Sequence, residues 1–213
     1  MSARTAMLAD IRSNLAKSAP FEALYHHLQP STRLQKPSVS NVSSTDLADQ
    51  FATELSAVGG EVYRSSNEEQ AIDLITGTLG EIGAKRVAIS DMSLRESKAF
   101  EGIDLIQDPS REELFAVDAG ISTAQLAIAE TGTLVLRSSM ETHRLVSLVP
   151  PVHICVLNTA NIKLSMSDVL EELSSKIDPT ITFITGPSRT SDIELTLAIG
   201  VHGPKRLIVI LID

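Results

Sequence analysis

Apolar residues recur at helical spacing in some stretches of this chain and in short unbroken runs in others. Across residues 3–18, Ala6, Leu8, Ile11 and Leu15 fall near helical spacing and predict an amphipathic helix. Pro20, Pro30 and Pro37 then punctuate a mostly polar stretch that runs to Ser44. A short helix with one apolar face gains its stability by packing, here on the core or on another subunit. Residues 1–44 are therefore read as an N-terminal helical arm and linker, and residues 45–213 as an α/β domain.

Within that domain helical and strand patterns alternate. Thr45 is the expected N-cap of a helix through Phe51, Leu55 and Val58, closed by Gly59 and Gly60. A short strand follows over residues 61–64. Asn67 caps a second helix whose first turn carries Glu68 and Glu69, favourable at a helix N-terminus. That helix runs through Ile72, Ile75, Leu79 and Ile82 to Gly83, and residues 86–90 read as a buried strand. A short helix over 94–100 and a strand over 103–106 come next. Around Glu130, Thr131, Gly132 and Thr133 two apolar segments, 126–129 and 134–136, predict a hairpin or a tightly bent pair, although the first also fits a helix. Residues 152–157 form a strand, a helix opens near Ser165, and the pattern closes with a strand over 180–185, a helix over 190–199 and a strand over 207–212. Apolar strands alternating with helices indicate an α/β fold, a mostly parallel sheet with helices on both faces.

Hydrophobic residues make up 43% of the chain and charged residues 21%, enough for a packed core. The net charge of −9 argues against a nucleic-acid binder, which needs clustered Lys and Arg, and with 3% aromatic residues there is little to stack bases on. Cys155 is the only cysteine, which excludes an intramolecular disulfide, a four-thiolate iron–sulfur site and a multi-thiolate zinc site in this chain. It lies in an apolar run and reads as an inert core thiol. His153 and His202 have no second ligand at helical spacing, so no metal site is assigned. No apolar leader and no membrane-length apolar run are present, and the expected location is the cytoplasm.

Three clusters carry candidate chemistry. In Gly186-Pro187-Ser188-Arg189-Thr190 a hydrolase elbow is incomplete, because Thr190 stands where the second Gly belongs. A Walker loop is absent as well, since no Gly-Lys-Ser/Thr follows. Two readings stand for this expected strand-to-helix corner. It is an anion site built from Gly186, Ser188, Arg189 and Thr190 at a helix N-terminus, or those hydroxyls merely cap the helix. The strand over 180–185 meets this loop at the carboxyl ends of the parallel strands, where such sheets bind ligands. Glu130, next to a turn-forming Gly132, is a candidate nucleophile or acid–base group, or else a polar residue facing solvent. Arg144 is a candidate clamp for a carboxylate or phosphate, or an ordinary surface cation.

The segments "AIAETGTLVLRSS", "LVPPVHICVL" and "ITGPSRTSDIELTLAIGVHGPKRLIVIL", in this order, resemble the lactate-utilisation protein C family, also called the LUD-domain family. The likeness extends over residues 45–213 and is strongest from Ala127 onward. It implies a fold like the sugar-phosphate isomerase and CoA-transferase group. It also implies a role as an accessory component of an iron–sulfur system that oxidises L-lactate to pyruvate. The cofactor expectation is none in this chain, with iron–sulfur clusters on partner proteins, and a small carboxylate or phosphate as a ligand. The alternative is a stand-alone small-molecule enzyme with CoA-transferase- or isomerase-like carboxylate chemistry, in which Glu130 is the counterpart of the transferase glutamate by motif character.

Overall fold

The computed structural model of the protein describes residues 7–10, 12–13, 43–90, 100–106, 108–141, 143–174, 178–191, 197–199 and 203–213. The chain divides into two compact units, Met1–Asn41 and Val42–Asp213. In the first, residues 7–10 and 12–13 are helical, on the stretch where the apolar spacing predicts a helix. The linker expected through Ser44 and the short helix expected over 94–100 lie largely outside the described residues.

In the second unit, α1 (Ser44–Ala57) starts two residues earlier than the Thr45 reading. Ser43 is its N-cap, and its side chain and that of Asp46 bond each other's backbone N–H groups in a capping box. Ala48, Phe51 and Leu55 form its buried stripe. After β1 (Glu61–Ser65), α2 (Glu68–Glu81) is capped by Asn67 as expected, and it buries Ala71, Ile75 and Leu79. Next come β2 (Arg86–Ile89), β3 (Asp104–Ile106), the one-turn α3 (Arg111–Leu114) and β4 (Ala119–Thr123). The bent pair is present: β5 (Leu126–Ile128) and β6 (Thr133–Arg137) run antiparallel around a 3₁₀ turn at Ala129–Thr131. A second 3₁₀ turn, Arg144–Ser147, leads to β7 (Val152–Asn158). Then follow β8 (Ile162–Lys163), α4 (Met166–Ser174), β9 (Ile181–Ile184), β10 (Arg189–Ser191), β11 (Leu197–Ile199) and β12 (Arg206–Ile212).

Six strands form one parallel sheet in the order β1-β12-β7-β4-β2-β3. Its central strands are apolar on both faces, as a covered parallel sheet requires. On β12, Leu207, Val209 and Leu211 face a core shared with Phe51 and Leu55 of α1, whereas Ile208 and Ile210 face a core shared with Ile75 and Leu79 of α2. Helices thus cover both faces. The α1 face also receives a second, four-stranded sheet, β8-β5-β6-β9, through Ala127, Leu134 and Leu136.

Two glycines set how closely these layers approach. Gly132 has a φ of 61°, and a Cβ there would overlap the backbone of Leu55 in α1. A side chain at Gly120 on β4 would overlap the Val146 carbonyl oxygen, so the 3₁₀ turn lies directly on the sheet.

The C-terminal region departs from the sequence reading in two ways. Residues 180–185 do hold a strand, β9, but it pairs antiparallel with β6 in the small sheet. Where a helix was expected over 190–199, the described residues are strand: Arg189–Ser191 and Leu197–Ile199 pair antiparallel. The physical cause is legible afterwards. Ile193, Leu195, Leu197 and Ile199 alternate strictly with Asp192, Glu194, Thr196 and Ala198, which is the period of a strand.

Candidate functional site

A cavity of about 230 Å³ forms where the 3₁₀ turn Arg144–Ser147, the β9–β10 connection and the segment before β12 meet. Its polar lining comes from Ser147, His153, Thr185 and Ser188 with the backbone at Gly186 and Gly203, and Leu148 and Leu207 add apolar wall. His153 and Leu207 are register partners near the first residues of β7 and β12. The cavity therefore sits at the amino ends of these parallel strands, not at the carboxyl ends expected from the sequence. The reason is topological: β9, which delivers Gly186 and Ser188, belongs to the other sheet and approaches from across the core.

The loop is held in place by its backbone. Ser188 N–H donates to the Pro204 carbonyl at 2.8 Å, tying the β9–β10 connection to the approach to β12. A hydroxyl chain braces the other side. Thr133 Oγ1 lies 2.6 Å from Thr131 Oγ1 and 2.7 Å from Thr185 Oγ1. The Glu130-to-Thr133 motif thus reaches the cavity through its threonines.

Beneath the cavity lies a buried polar cluster on one face of the large sheet. His153 is fully buried, with Nε2 2.8 Å from Ser122 Oγ on neighbouring β4, and Nδ1 has no hydrogen-bond partner. Burial pushes the imidazole down to about 3, so the ring is neutral at working pH. Ser122 Oγ donates to Cys155 Sγ at 3.8 Å. Burial chiefly, with the Glu141 charge adding to it, pushes the Cys155 thiol up to about 12, so it stays protonated. Glu141 is also buried, and neither carboxyl oxygen has a partner. Desolvation pushes it up to about 7 against the opposing pull of Arg144.

The candidates named from sequence fall in different places. Gly186 and Ser188 line the cavity. Arg144 is exposed at the first position of the 3₁₀ turn whose last residue, Ser147, lines it. Arg189 is exposed, and its guanidinium donates to the Val58 carbonyl at 2.6 Å, at the C-terminal end of α1. Thr190 sits in β10, its backbone in register with Ala198, so no helix N-terminus stands here to hold an anion. Glu130 is exposed, and its Oε1 accepts from the Met166 N–H at 3.0 Å at the start of α4. Among the described residues, no three His, Cys, Asp or Glu side chains gather to hold a metal ion.

Sequence reasoning missed Ser122, Glu141 and Ser147, and considered His153 only as a metal ligand, which it did not assign. One signal was available: His153 and Cys155 stand two apart in a strand and so share a face, which made a polar patch under an apolar run predictable. Ser122 joins that patch only through strand order, with β4 beside β7.

The sequence profile of the LUD domain matches residues 48–212. This chain belongs to the LUD-domain family. It is similar to the "uncharacterized protein NMB1437" of Neisseria meningitidis, 41% identical over 160 residues that cover 71% of this chain and 66% of that one. It is similar also to a protein named lactate utilization protein C from Deinococcus radiodurans, 37% identical over 117 residues, 52% of this chain and 55% of the relative. The matched stretches thus span just under two thirds and about half of these two relatives. The crystal structure of a DUF162 family protein from Deinococcus radiodurans superposes with a TM-score of 0.65 at 26% identity, covering 81% of this chain and all 100% of that one. No helix of the described LUD-domain residues is long and apolar enough to cross a membrane.

Proposed function

We propose that this LUD-domain chain serves lactate utilisation as an accessory component of an L-lactate-oxidising system, and that its cavity holds a small carboxylate of the lactate and pyruvate class. The observation that carries the reading is the cavity itself: about 230 Å³, lined by Ser147, Thr185, Ser188 and an uncharged His153 beside a partly apolar wall. Such a lining suits a compact ligand with an anionic head and a short apolar body. The name lactate utilization protein C, carried by a relative, supports the pathway. Iron–sulfur clusters belong on partner proteins in this reading, because one buried, protonated thiol is a poor ligand for them.

The test combines cells and calorimetry. In cells lacking this chain, growth on L-lactate should fail and growth on other carbon sources should persist. Full-length protein titrated with L-lactate or pyruvate should bind, and Ser188→Ala should weaken that binding. Undiminished lactate oxidation without the chain refutes the pathway, and no heat with either compound refutes the ligand.

A further inference from the structure

We propose that a second copy of this chain docks on the free edge of β9, pairing antiparallel with it about a two-fold axis at Thr182. The inference does not depend on what the cavity holds.

The groups this edge offers follow from the register. β9 is an outer strand of the four-stranded sheet, with β6 on its inner side. Opposed residues of an antiparallel pair bond each other at every second position. Ser138 N–H donates to the Thr180 carbonyl at 3.1 Å, so Thr180, Thr182 and Ile184 are the residues whose backbone turns to β6. The N–H and C=O groups of Ile181 and Phe183 therefore point outward, and among the described residues no strand receives them.

The chemistry of this edge sets it apart. An open edge invites pairing, and proteins guard such strands with charge, proline or short length. The six-stranded and four-stranded sheets have β1, β3, β8 and β9 as their outer strands. β1 carries Glu61 and Arg64, β3 carries Asp104, and the two-residue β8 carries Lys163. Residues 180–185, Thr-Ile-Thr-Phe-Ile-Thr, hold neither charge nor proline, and Phe183 is 39% exposed.

That composition selects a second copy as the occupant. Each chain carries a net charge of −9, so two copies repel and meet best where no charge opposes a like one. The edge is also its own complement. With Thr182 facing Thr182 on the axis, Ile181 lies opposite the second copy's Phe183, and Phe183 opposite its Ile181. The outward backbone groups of both residues then pair, and two aromatic–β-branched contacts form across the axis. α4 adds apolar surface on that face of the sheet: Val169 and Leu173 pack beside Ile181, while Met166 and Leu170 stay exposed.

The experiment follows full-length protein by sedimentation over a dilution series. The wild type should be a dimer. Phe183→Lys puts a charge on the edge and, by symmetry, removes both cross-strand contacts, so its dissociation constant should rise about tenfold or more. Thr182→Cys should link two chains on mild oxidation, because residues opposed at such a position have Cα atoms about 4.5 Å apart; the native Cys155 is buried and does not compete. In the wild-type dimer the Ile181 and Phe183 amides should exchange as slowly as those of Thr182 and Ile184. That readout needs no variant, so a variant that fails to fold does not decide the outcome. A single chain at every concentration overturns the proposal and leaves the edge to a different partner. A dimer with fast exchange at Ile181 and Phe183, with no link through residue 182, or with unchanged affinity in Phe183→Lys overturns it as well, since its interface lies elsewhere.

Discussion

Replacing Glu141 by Gln should stabilise this protein, and increasingly so as pH rises. Both carboxyl oxygens of Glu141 are buried without partners, and desolvation raises the group from an ordinary 4.5 to about 7. Between those values the folded state holds a proton that the unfolded state has released. Stability is therefore unpenalised at the acid end and falls as pH rises through the window. The full shift corresponds to about 3 kcal/mol, which screening by nearby solvent reduces to about 2 kcal/mol. Gln keeps the shape and removes the charge, so the variant should gain on the wild type by that amount between about pH 5 and about pH 8. For a chain of this size the gain is about 4–8 °C in Tm. His153, held down at about 3, slopes the opposite way below its unfolded value, but both proteins share it and it cancels in the difference. Thermal and urea unfolding of the pair across this range is the assay. A difference that does not change with pH, or a variant less stable at the alkaline end, refutes the reasoning, since it means that the carboxylate has a compensating partner.

Gly132→Ala should cost about 3 kcal/mol or more, because it forces a left-handed residue and drives a Cβ into the Leu55 backbone; urea unfolding measures it, and a loss under 1 kcal/mol, about the size of an ordinary surface change, sinks the account. Arg189→Ala should cost about 1 kcal/mol by uncapping the Val58 carbonyl at the end of α1, with faster amide exchange in the helix's last turn; unchanged exchange there refutes the capping role.

The hydrophobic pattern was enough to determine most of the large sheet. Runs such as Val152–Asn158 and Arg206–Ile212 are apolar on both faces, and only a strand covered on both sides accepts that composition. The caps were nearly as legible, because Asn67 and its acidic neighbours act locally. The hairpin Arg189–Ser191 with Leu197–Ile199 was legible too, in the alternation from Asp192 to Ile199, but a Gly-Pro-Ser-Arg opening drew attention to a helix start instead.

The site was not written in any local pattern. Ser188 and Gly186 were found because a loop rich in Gly and Ser announces itself. Their companions were not, since His153, Ser122 and Ser147 come from three separate segments of the chain. Strand order puts β4 beside β7, the absence of a side chain at Gly120 lets the 3₁₀ turn settle on the sheet, and β9 arrives from the second sheet. Each of those placements depends on contacts far apart in sequence. The sequence alone determined the periodicities that make strands, helices and caps, because these are local balances of burial and backbone bonding. Only the tertiary structure decided which polar residues lose water together, and with that which histidine is neutral and which carboxyl is raised, because desolvation depends on everything packed around a group.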